Sequence, residues 1–137
     1  HTPAPPKIMQ SKVNSYTNVI GDIKKFFLLT LKQVDKYNIP HSKIWFDPGI
    51  GFGKNLVQNL EIMQNIHQFK IKKCGIILGS SRKSWISGID QSEVYSRLGG
   101  SLASALYCYK KGVNMFRVHD VKATNQALKV YKNLCLK

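Results

Sequence analysis

The apolar residues of this 137-residue chain recur at helical spacing in three segments. This spacing predicts α-helices over residues 18–37, 55–69 and 124–137. A fourth helix, rich in small residues, is predicted over 97–112, where Gly112 is expected to cap its end. The apolar positions of the helices over 18–37, 55–69 and 124–137 are the candidate helical core: Ile20, Ile23, Phe27, Leu31, Val34, Leu56, Leu60, Met63, Ile66, Leu128, Tyr131 and Leu134.

Three short apolar runs lie between these helices and are interpreted as β-strands. They are "KIWF" at 43–46, "CGIILG" at 74–79 and "NMFRV" at 114–118. The middle run is continuously apolar, which is typical of a strand in a sheet covered on both faces. Successive runs begin roughly thirty to forty residues apart, the length of a strand–helix–strand unit, so parallel strands are expected. The sequence therefore predicts a single α/β domain, residues 1–137, with a leading helix and three strand–helix units.

The composition is that of a folded protein with a basic surface. Apolar residues make up 43% of the chain and aromatic residues 10%, which excludes a disordered chain. The net charge is +14, but the lysines are scattered and only three basic residues are arginines. This scatter favours a solvated surface, with a nucleic-acid-binding module as the alternative. No apolar run reaches the length of a membrane span and no signal peptide is recognised, so a cytoplasmic protein without membrane partners is expected.

The cysteines indicate neither a disulfide framework nor a metal site. Cys74, Cys108 and Cys135 are far apart and odd in number, and no two have the spacing of metal ligands. They are expected to be reduced, buried thiols, as is typical of a cytosolic protein.

Polar residues follow each predicted strand at the point where it ends. Asp47 precedes a loop with glycines at every second position, "FDPGIGFGK" at 46–54. The second strand is followed by "SSRKS" at 80–84, and the third carries Arg117 and His119, two positions apart and so on one face. Because ligands bind at the carboxyl ends of parallel strands, these three groups are expected to form one site.

The residue types in this site suit a flat ring with an anionic tail. Arginine and lysine side chains bind phosphates and carboxylates, and a buried carboxylate such as Asp47 accepts two parallel hydrogen bonds from a heterocycle. Ser84 lies where a helix is expected to begin, and helix N-termini bind anions. Glycine is costly in backbone entropy, so the glycines are expected to let the main chain lie close against a planar ligand.

Each residue also has a simpler interpretation when it is considered alone. Asp47 before Pro48 is typical of a turn, Lys83 of a solvated helix end, and His119 with Asp120 of a helix cap. The "GIGFGK" spacing fits neither the dinucleotide-binding nor the phosphate-binding glycine motif. The convergence of all three groups favours a binding site over these separate interpretations.

Four motifs, in this order and at these separations, resemble dihydropteroate synthase, the pterin-binding family of folate synthesis that sulfonamides inhibit. They are "FDPGIGFGKN", "LGSSRKS", "RLGGSLASA" and "FRVHDV". The opening "HTPAPPKIMQ" is similar to the family segment H-x-x-G-x-P-x-x-M-Q, with Ala4 in place of glycine. Ile50 stands where phenylalanine is common.

The resemblance implies a (β/α)₈ barrel and a transferase reaction. Such a barrel usually needs about 200 residues or more, so the chain is expected to be its C-terminal portion, inactive alone. The reaction joins 6-hydroxymethyl-7,8-dihydropterin diphosphate to p-aminobenzoate, releasing pyrophosphate with Mg²⁺, whose ligands are expected in the missing N-terminal part. No side chain is expected to act as a nucleophile, since the protein positions the rings and stabilises charge.

The resemblance also implies roles for residues of this chain. Asp47 and Lys83 would contact the pterin, and Phe52 would contact the p-aminobenzoate ring. Ser84 would bind the p-aminobenzoate carboxylate. Arg117 would stack on the pterin and form the pyrophosphate pocket with His119. The expected substrate-binding set is Asp47, Gly51, Phe52, Arg82, Lys83, Ser84, Arg117 and His119.

Family resemblance further favours a homodimer through the helix around Gly99 to Tyr109. Small residues there permit close helix approach, while Tyr107 and Tyr109 are candidate anchors. Packing of this helix against the barrel is the alternative. For the function, the alternatives are another pterin-binding barrel, such as a methyltetrahydrofolate methyltransferase, and the nucleic-acid-binding module.

Overall fold

The computed structural model describes residues 1–2 and 16–135. Residues 3–15 and 136–137 lie outside the described residues. The predicted opening loop falls in the first of these segments, and the predicted end of the last helix falls in the second. The elements follow in the order α1 (Val19–Asp35), β1 (Trp45–Phe46), α2 (Leu56–Gln64), β2 (Gly75–Leu78), α3 (Ser84–Asp90), α4 (Leu98–Lys110), β3 (Met115–Phe116) and α5 (Val121–Cys135). Short 3₁₀ helices occupy His41–Lys43, Ile66–Phe69 and Val94–Ser96.

The three strands form one parallel sheet in the order β1-β2-β3. Trp45 pairs with Gly75, and Ile77 pairs with Met115. This arrangement confirms the predicted α/β fold with three strand–helix units after a leading helix. Between residues 16 and 135, no helix has both the length and the apolar character needed to cross a membrane.

The two faces of the sheet differ in how well they are covered. Phe46, Ile76 and Leu78 point towards the helices and are almost fully buried. Because successive side chains of a strand point to opposite faces, Trp45 and Met115 lie on the other face, where each is 42% exposed. We call that second surface the inner face of the sheet. It is apolar and only partly covered within the described structure.

Aromatic packing joins α1 to the sheet. The Phe27 ring stacks on Phe46, with centroids 4.2 Å apart, and meets the edge of Phe69 at 5.7 Å. Asn18 begins α1 by accepting a hydrogen bond from the Gly21 N–H at 2.8 Å, which satisfies one of the free donors of the first turn. Ile20, Ile23, Phe27 and Leu31 of the predicted stripe are therefore confirmed as core, whereas Val34, its last position, is only partly buried.

Gly112 ends α4 as predicted. Its φ is +94°, its N–H donates to the Tyr109 carbonyl at 3.0 Å, and the Val113 N–H donates to the Cys108 carbonyl at 3.1 Å. This pair of hydrogen bonds is the Schellman arrangement, in which a glycine in the left-handed region satisfies the last helical carbonyls.

The strands are shorter than predicted. Lys43 belongs to a 3₁₀ turn in which its N–H donates to the Pro40 carbonyl, so β1 begins only at Trp45. At the other end of the sheet β3 stops at Phe116, and the chain turns into α5 from Val121. Arg117 and His119 therefore follow the strand instead of sharing a face within it.

Two predictions of burial are wrong near the C-terminus. Leu134 is 76% exposed and Cys135 is exposed, whereas Cys74 and Cys108 are buried and all three thiols are free. Thr124 is the buried residue of α5. Leu134 lines an open groove between α4 and α5 instead of packing into the core.

Candidate functional site

Three loops follow the carboxyl ends of the strands and contact one another. We call residues 47–54, after β1, the glycine loop, and residues 80–84, after β2, the serine loop. The third connection, 117–120, joins β3 to α5. Hydrogen bonds between these loops bring the predicted site residues together.

Left-handed backbone shapes the glycine loop. Gly49, Gly51 and Gly53 have φ of +75°, +77° and +60°. The Gly49 N–H donates to Asp47 Oδ1 at 2.8 Å, which holds the carboxylate at the end of β1. A Cβ atom on Gly51 would lie 2.9 Å from Lys83 Cδ, so position 51 needs glycine both for its φ and for the approach of this side chain.

Lys83 links the serine loop to the glycine loop. Its Nζ donates to the Ile50 carbonyl and lies 3.8 Å from the centroid of the Phe52 ring, a cation–π contact. The pKa of Lys83 is lowered to about 8, mainly by burial; the Asp47 charge opposes the shift and the Arg117 charge contributes to it. The lysine is thus a half-buried cation held against an aromatic ring.

Arg117 lies beside Asp47. Its Nη2 donates to Asp47 Oδ2 at 3.3 Å, and the two side chains are 57% and 29% exposed. A Cβ atom on Gly79 would lie 2.5 Å from Arg117 Nη2, so glycine at the end of β2 lets the guanidinium lie against the backbone. The contact is long and solvent-exposed, and most of the guanidinium remains accessible.

Arg82 makes a different kind of pair. Its Nε and Nη2 donate to the two carboxylate oxygens of Asp120 at 2.9 and 2.5 Å. These hydrogen bonds raise the pKa of Arg82 and lower the pKa of Asp120. Arg82 was predicted beside the substrate, but its bidentate fork is occupied by Asp120, a partner that the sequence interpretation missed.

Helix α4 anchors the serine loop. The Arg82 N–H donates to Ser101 Oγ at 2.9 Å, and the hydroxyls of Ser80 and Ser104 lie 2.9 Å apart. Arg97 Nη1 donates to the Arg82 carbonyl at 3.0 Å. The serines of α4 are buried and serve the site, a role that composition alone did not suggest.

The small residues of α4 divide between two sides of the helix. A Cβ atom on Gly100 would lie 2.7 Å from Ile86 Cγ2 in α3, and Ser101, Ser104 and Ala105 are buried, whereas Gly99 and Ala103 are exposed. Four of the six small residues therefore pack within the fold, and a homodimer through this helix stays a prediction. Tyr107 is 45% exposed.

Two predicted residues lie at the margins of the cluster. The ring Nδ1 of His119 lies 3.1 Å from Ser81 Oγ, which orients the exposed imidazole. Ser84 begins α3 directly after Lys83, as expected, and its side chain is exposed. Among residues 1–2 and 16–135, no three His, Cys, Asp or Glu side chains lie close enough together to hold a metal ion.

Comparison with known proteins places this geometry in a family. A sequence model described as "Pterin binding enzyme" matches residues 1–119. The chain belongs to the pterin-binding enzyme family. The family resemblance and the partial-barrel fold predicted from the motifs are confirmed.

Known members of this pterin-binding family are similar over nearly the whole chain. The dihydropteroate synthase of Escherichia coli K12 is 34% identical over 130 residues, which are 95% of this chain and 46% of that protein. A solved structure of the Yersinia pestis dihydropteroate synthase with a sulfonamide drug matches with a TM-score of 0.91 and 30% identity, over 98% of this chain and 48% of that one. The Thermus thermophilus synthase in complex with 4-aminobenzoate matches with a TM-score of 0.90 and 32% identity, over 98% and 52%.

The chain thus spans about half the length of the relatives that it matches.

Proposed function

We propose that this chain is the C-terminal half of a dihydropteroate synthase. The complete enzyme would condense 6-hydroxymethyl-7,8-dihydropterin diphosphate with p-aminobenzoate to give 7,8-dihydropteroate and pyrophosphate. The observation that carries the proposal is the Lys83 ammonium over the Phe52 ring beside the Asp47–Arg117 pair. This combination offers a carboxylate, an aromatic wall and accessible cations at one end of a parallel sheet.

Asp47 is proposed to bind the pterin. An ionised carboxylate has about four lone-pair positions. In the structure Asp47 uses one strong contact, from the Gly49 N–H, and one long contact, from Arg117. The remaining acceptor positions suit two parallel N–H donors on an amino-pyrimidine edge, while the Asx turn fixes the direction in which the carboxylate points.

Phe52, Lys83 and Ser84 are proposed to bind p-aminobenzoate. The Phe52 ring offers an apolar face, and Lys83 sits over it at 3.8 Å. Lys83 therefore lies between the two expected substrates and can contact the pterin. Ser84, at the start of α3, is the proposed partner of the substrate carboxylate.

Arg117 and His119 are proposed to bind the leaving pyrophosphate. The bond that breaks joins the pterin methylene carbon to the diphosphate oxygen, which leaves with the electron pair. The amine nitrogen of p-aminobenzoate then forms a bond to that carbon and loses a proton. The accessible Arg117 guanidinium suits the charge that develops on the leaving group. The Arg82 guanidinium is already bound to the Asp120 carboxylate. Arg82 therefore affects the site indirectly, by holding the serine loop to the connection that carries Arg117 and His119.

Magnesium, which the family resemblance implies, does not fit the residues described here. The two carboxylates at this end of the sheet, Asp47 and Asp120, are each engaged by an arginine. We therefore propose that its ligands lie outside this half of the enzyme. The free thiols support a cytoplasmic location.

A homodimer is proposed through the outer surface of α4 and α5. An apolar groove of about 510 Å³ lies between these helices. Its lining includes Leu98, Val130 and Leu134, which are 37%, 53% and 76% exposed.

Replacing Leu134 by Lys is expected to shift a complete enzyme towards monomer in sedimentation, whereas Lys129→Ala, an exposed change on the same helix, is not. A dimer unaffected by Leu134→Lys would contradict this surface. Gly100→Leu is unsuitable because it clashes with Ile86.

Turnover by a complete synthase that carries this segment tests the proposed function. We expect one pyrophosphate to be released for each p-aminobenzoate that is consumed. A sulfonamide is expected to compete with p-aminobenzoate. Methyl transfer from methyltetrahydrofolate would favour the other pterin-binding barrel instead. A salt-dependent shift with generic RNA, without turnover, would favour a nucleic-acid-binding module.

Residues 1–137 alone are expected to show no turnover. The inner face of the sheet leaves Trp45 and Met115 each 42% exposed, and the outer edge of β1 has no partner strand among the described residues. Such a sheet is expected to associate or bind hydrophobic dyes. Adding the N-terminal half of the enzyme in trans should restore part of the pterin binding, and clear turnover without it would contradict the expectation.

A further inference from the structure

Lys54 is a buried charge that the proposed function leaves without a role. The residue is only 6% exposed. Its pKa is lowered to about 8, mainly by burial and also by the charge of Lys83, while Asp47 opposes the shift. Removing an ammonium group from water is costly unless its donors are used. The hydrogen bonds of Lys54 show which groups accept from the donors of its ammonium.

The Lys54 ammonium closes the turn at the tip of the glycine loop. Its Nζ donates to the Gly49 carbonyl at 2.9 Å and to the Phe52 carbonyl at 3.0 Å. These two residues are the ends of one turn, since the Phe52 N–H donates to the Gly49 carbonyl at 3.1 Å. The ring of Tyr16 covers the ammonium, with its centroid 5.3 Å from Nζ.

Asn59 fixes the same turn from α2. Its Oδ1 accepts from the Gly51 N–H at 2.7 Å, and its Nδ2 donates to the Lys54 carbonyl at 3.2 Å. Asn59 is buried, so the turn is held by a cation on its carbonyls and by an amide on its N–H side. Left-handed glycines make a flexible backbone, and these two side chains restrict it.

The turn carries the two groups that face Lys83. The Ile50 carbonyl accepts the hydrogen bond from Lys83, and the Phe52 ring lies beneath the Lys83 ammonium. Lys54 touches neither group with its own side chain. Any shift of the turn would nevertheless move both the Ile50 carbonyl and the Phe52 ring.

We infer that Lys54 is a positioning residue for the p-aminobenzoate side of the site: by closing the Gly49–Phe52 turn, it sets where the Phe52 ring lies under Lys83. The inference rests on the proposed function. It distinguishes the two substrates, because the Phe52 ring lies within the turn, whereas Asp47, the proposed pterin ligand, precedes the turn at the end of β1 and meets it only at the Gly49 N–H.

The test is a double-mutant cycle in a complete synthase that carries this segment. Lys54→Met keeps the length of the side chain but removes the donors to the Gly49 and Phe52 carbonyls and to the His1 carbonyl, which accepts at 3.4 Å. We expect it to lower kcat/KM for p-aminobenzoate roughly ten- to a hundredfold, as small misplacements of a contact group do. The KM for pterin diphosphate should stay within about threefold. Lys73→Met, at an exposed lysine outside the site, is the matched control and should leave both constants unchanged.

Phe52→Leu supplies the second arm of the cycle. If Lys54 acts through the Phe52 ring, the effect of Lys54→Met on p-aminobenzoate should be much smaller in the Phe52→Leu background. Additive effects, or equal losses for both substrates, would show a merely structural role and overturn the inference. If Lys54→Met does not fold, Lys54→Arg decides by the same criteria, since it keeps the buried charge while its larger planar head group changes the geometry of the contacts with the turn.

The control with the unaltered enzyme separates this inference from the proposed function. Absence of p-aminobenzoate turnover by the unaltered complete enzyme would overturn the proposed function, and the inference with it. Turnover by the unaltered enzyme together with an unchanged Lys54→Met variant would overturn the inference alone.

Discussion

Arg82 and Arg117 stand at the same edge of the sheet and each meets an aspartate, but the two pairs differ in geometry and exposure. Arg82 binds both oxygens of Asp120, with its side chain 22% exposed. Arg117 makes a single 3.3 Å contact with Asp47 and is 57% exposed. The first pair has the geometry of a clamp between loops, while the second leaves donors and acceptors free for a ligand. Substitutions at the four positions test whether the two pairs differ in this way.

The largest effect is expected from Asp47→Asn. The change keeps the shape of the side chain but turns one acceptor into a donor facing the pterin. Loss of a hydrogen bond to a charged group costs about 1.5–3 kcal/mol, so the affinity for pterin diphosphate should fall at least about tenfold. Titration calorimetry on a complete enzyme measures this directly. Asp120→Asn is the matched change and should lower the Tm while leaving affinity within about threefold. Equal effects of the two changes on affinity would erase the contrast between the pairs.

Arg117→Lys should have the next largest effect. Lysine keeps the charge but loses the planar fork, so pyrophosphate binding is expected to weaken about tenfold and p-aminobenzoate binding much less. Arg82→Lys breaks the two-point contact with Asp120, and its main effect should be on thermal stability. Competition binding with pyrophosphate and with p-aminobenzoate, together with melting curves, tests both variants. Similar losses of both ligands in Arg117→Lys would argue against a separate anion pocket.

The smallest effect is a dependence on pH that comes from Lys83. Because the pKa of Lys83 is lowered to about 8, its positive charge is lost as pH rises through that value. The affinity for p-aminobenzoate should therefore fall by a few-fold over about one pH unit above 8 in a complete enzyme. Lys83→Gln, which does not titrate, should have lower affinity and a flatter profile. A profile that Lys83→Gln leaves unchanged would assign the titration to another group.

The same lowered pKa has the opposite effect on folding. Between pH 8 and the ordinary lysine value of 10.5, the unfolded chain binds this proton while the folded chain has lost it. The contribution of Lys83 to the free energy of unfolding therefore rises with pH across this window. Denaturant unfolding at the two ends of the window, with Lys83→Gln as reference, separates the stability effect from the binding effect.

The sequence was sufficient to predict which loops meet, because this depends on strand order and on where each strand ends. The convergence of Asp47, Lys83 and Arg117 followed from three apolar runs with polar residues at their carboxyl ends. The Arg82–Asp120 pair was not predictable in this way, because it joins residues 38 positions apart through side-chain geometry.

Periodicity was also insufficient at the end of α5. Leu134 continues the apolar stripe of this helix, yet it is 76% exposed and lines the groove between α4 and α5. Composition was likewise insufficient for α4, because small residues fit either a flat external contact or a tight internal one. Gly100, Ser101 and Ser104 make internal contacts, and the hydroxyls of Ser101 and Ser104 bind the serine loop, whereas Gly99 and Ala103 are exposed.

The partly covered inner face of the sheet gives the protein an intrinsic optical probe. Trp45 lies on that face, against Gly75, whose missing side chain makes room for the indole. The other tryptophan, Trp85, is buried, and its indole N–H donates to the Ser80 carbonyl at 3.0 Å. Emission from Trp45 will shift to shorter wavelength and resist iodide quenching when another chain covers the inner face. Trp85 will respond instead to changes in the serine loop, so one fluorescence spectrum reports on assembly and on the site.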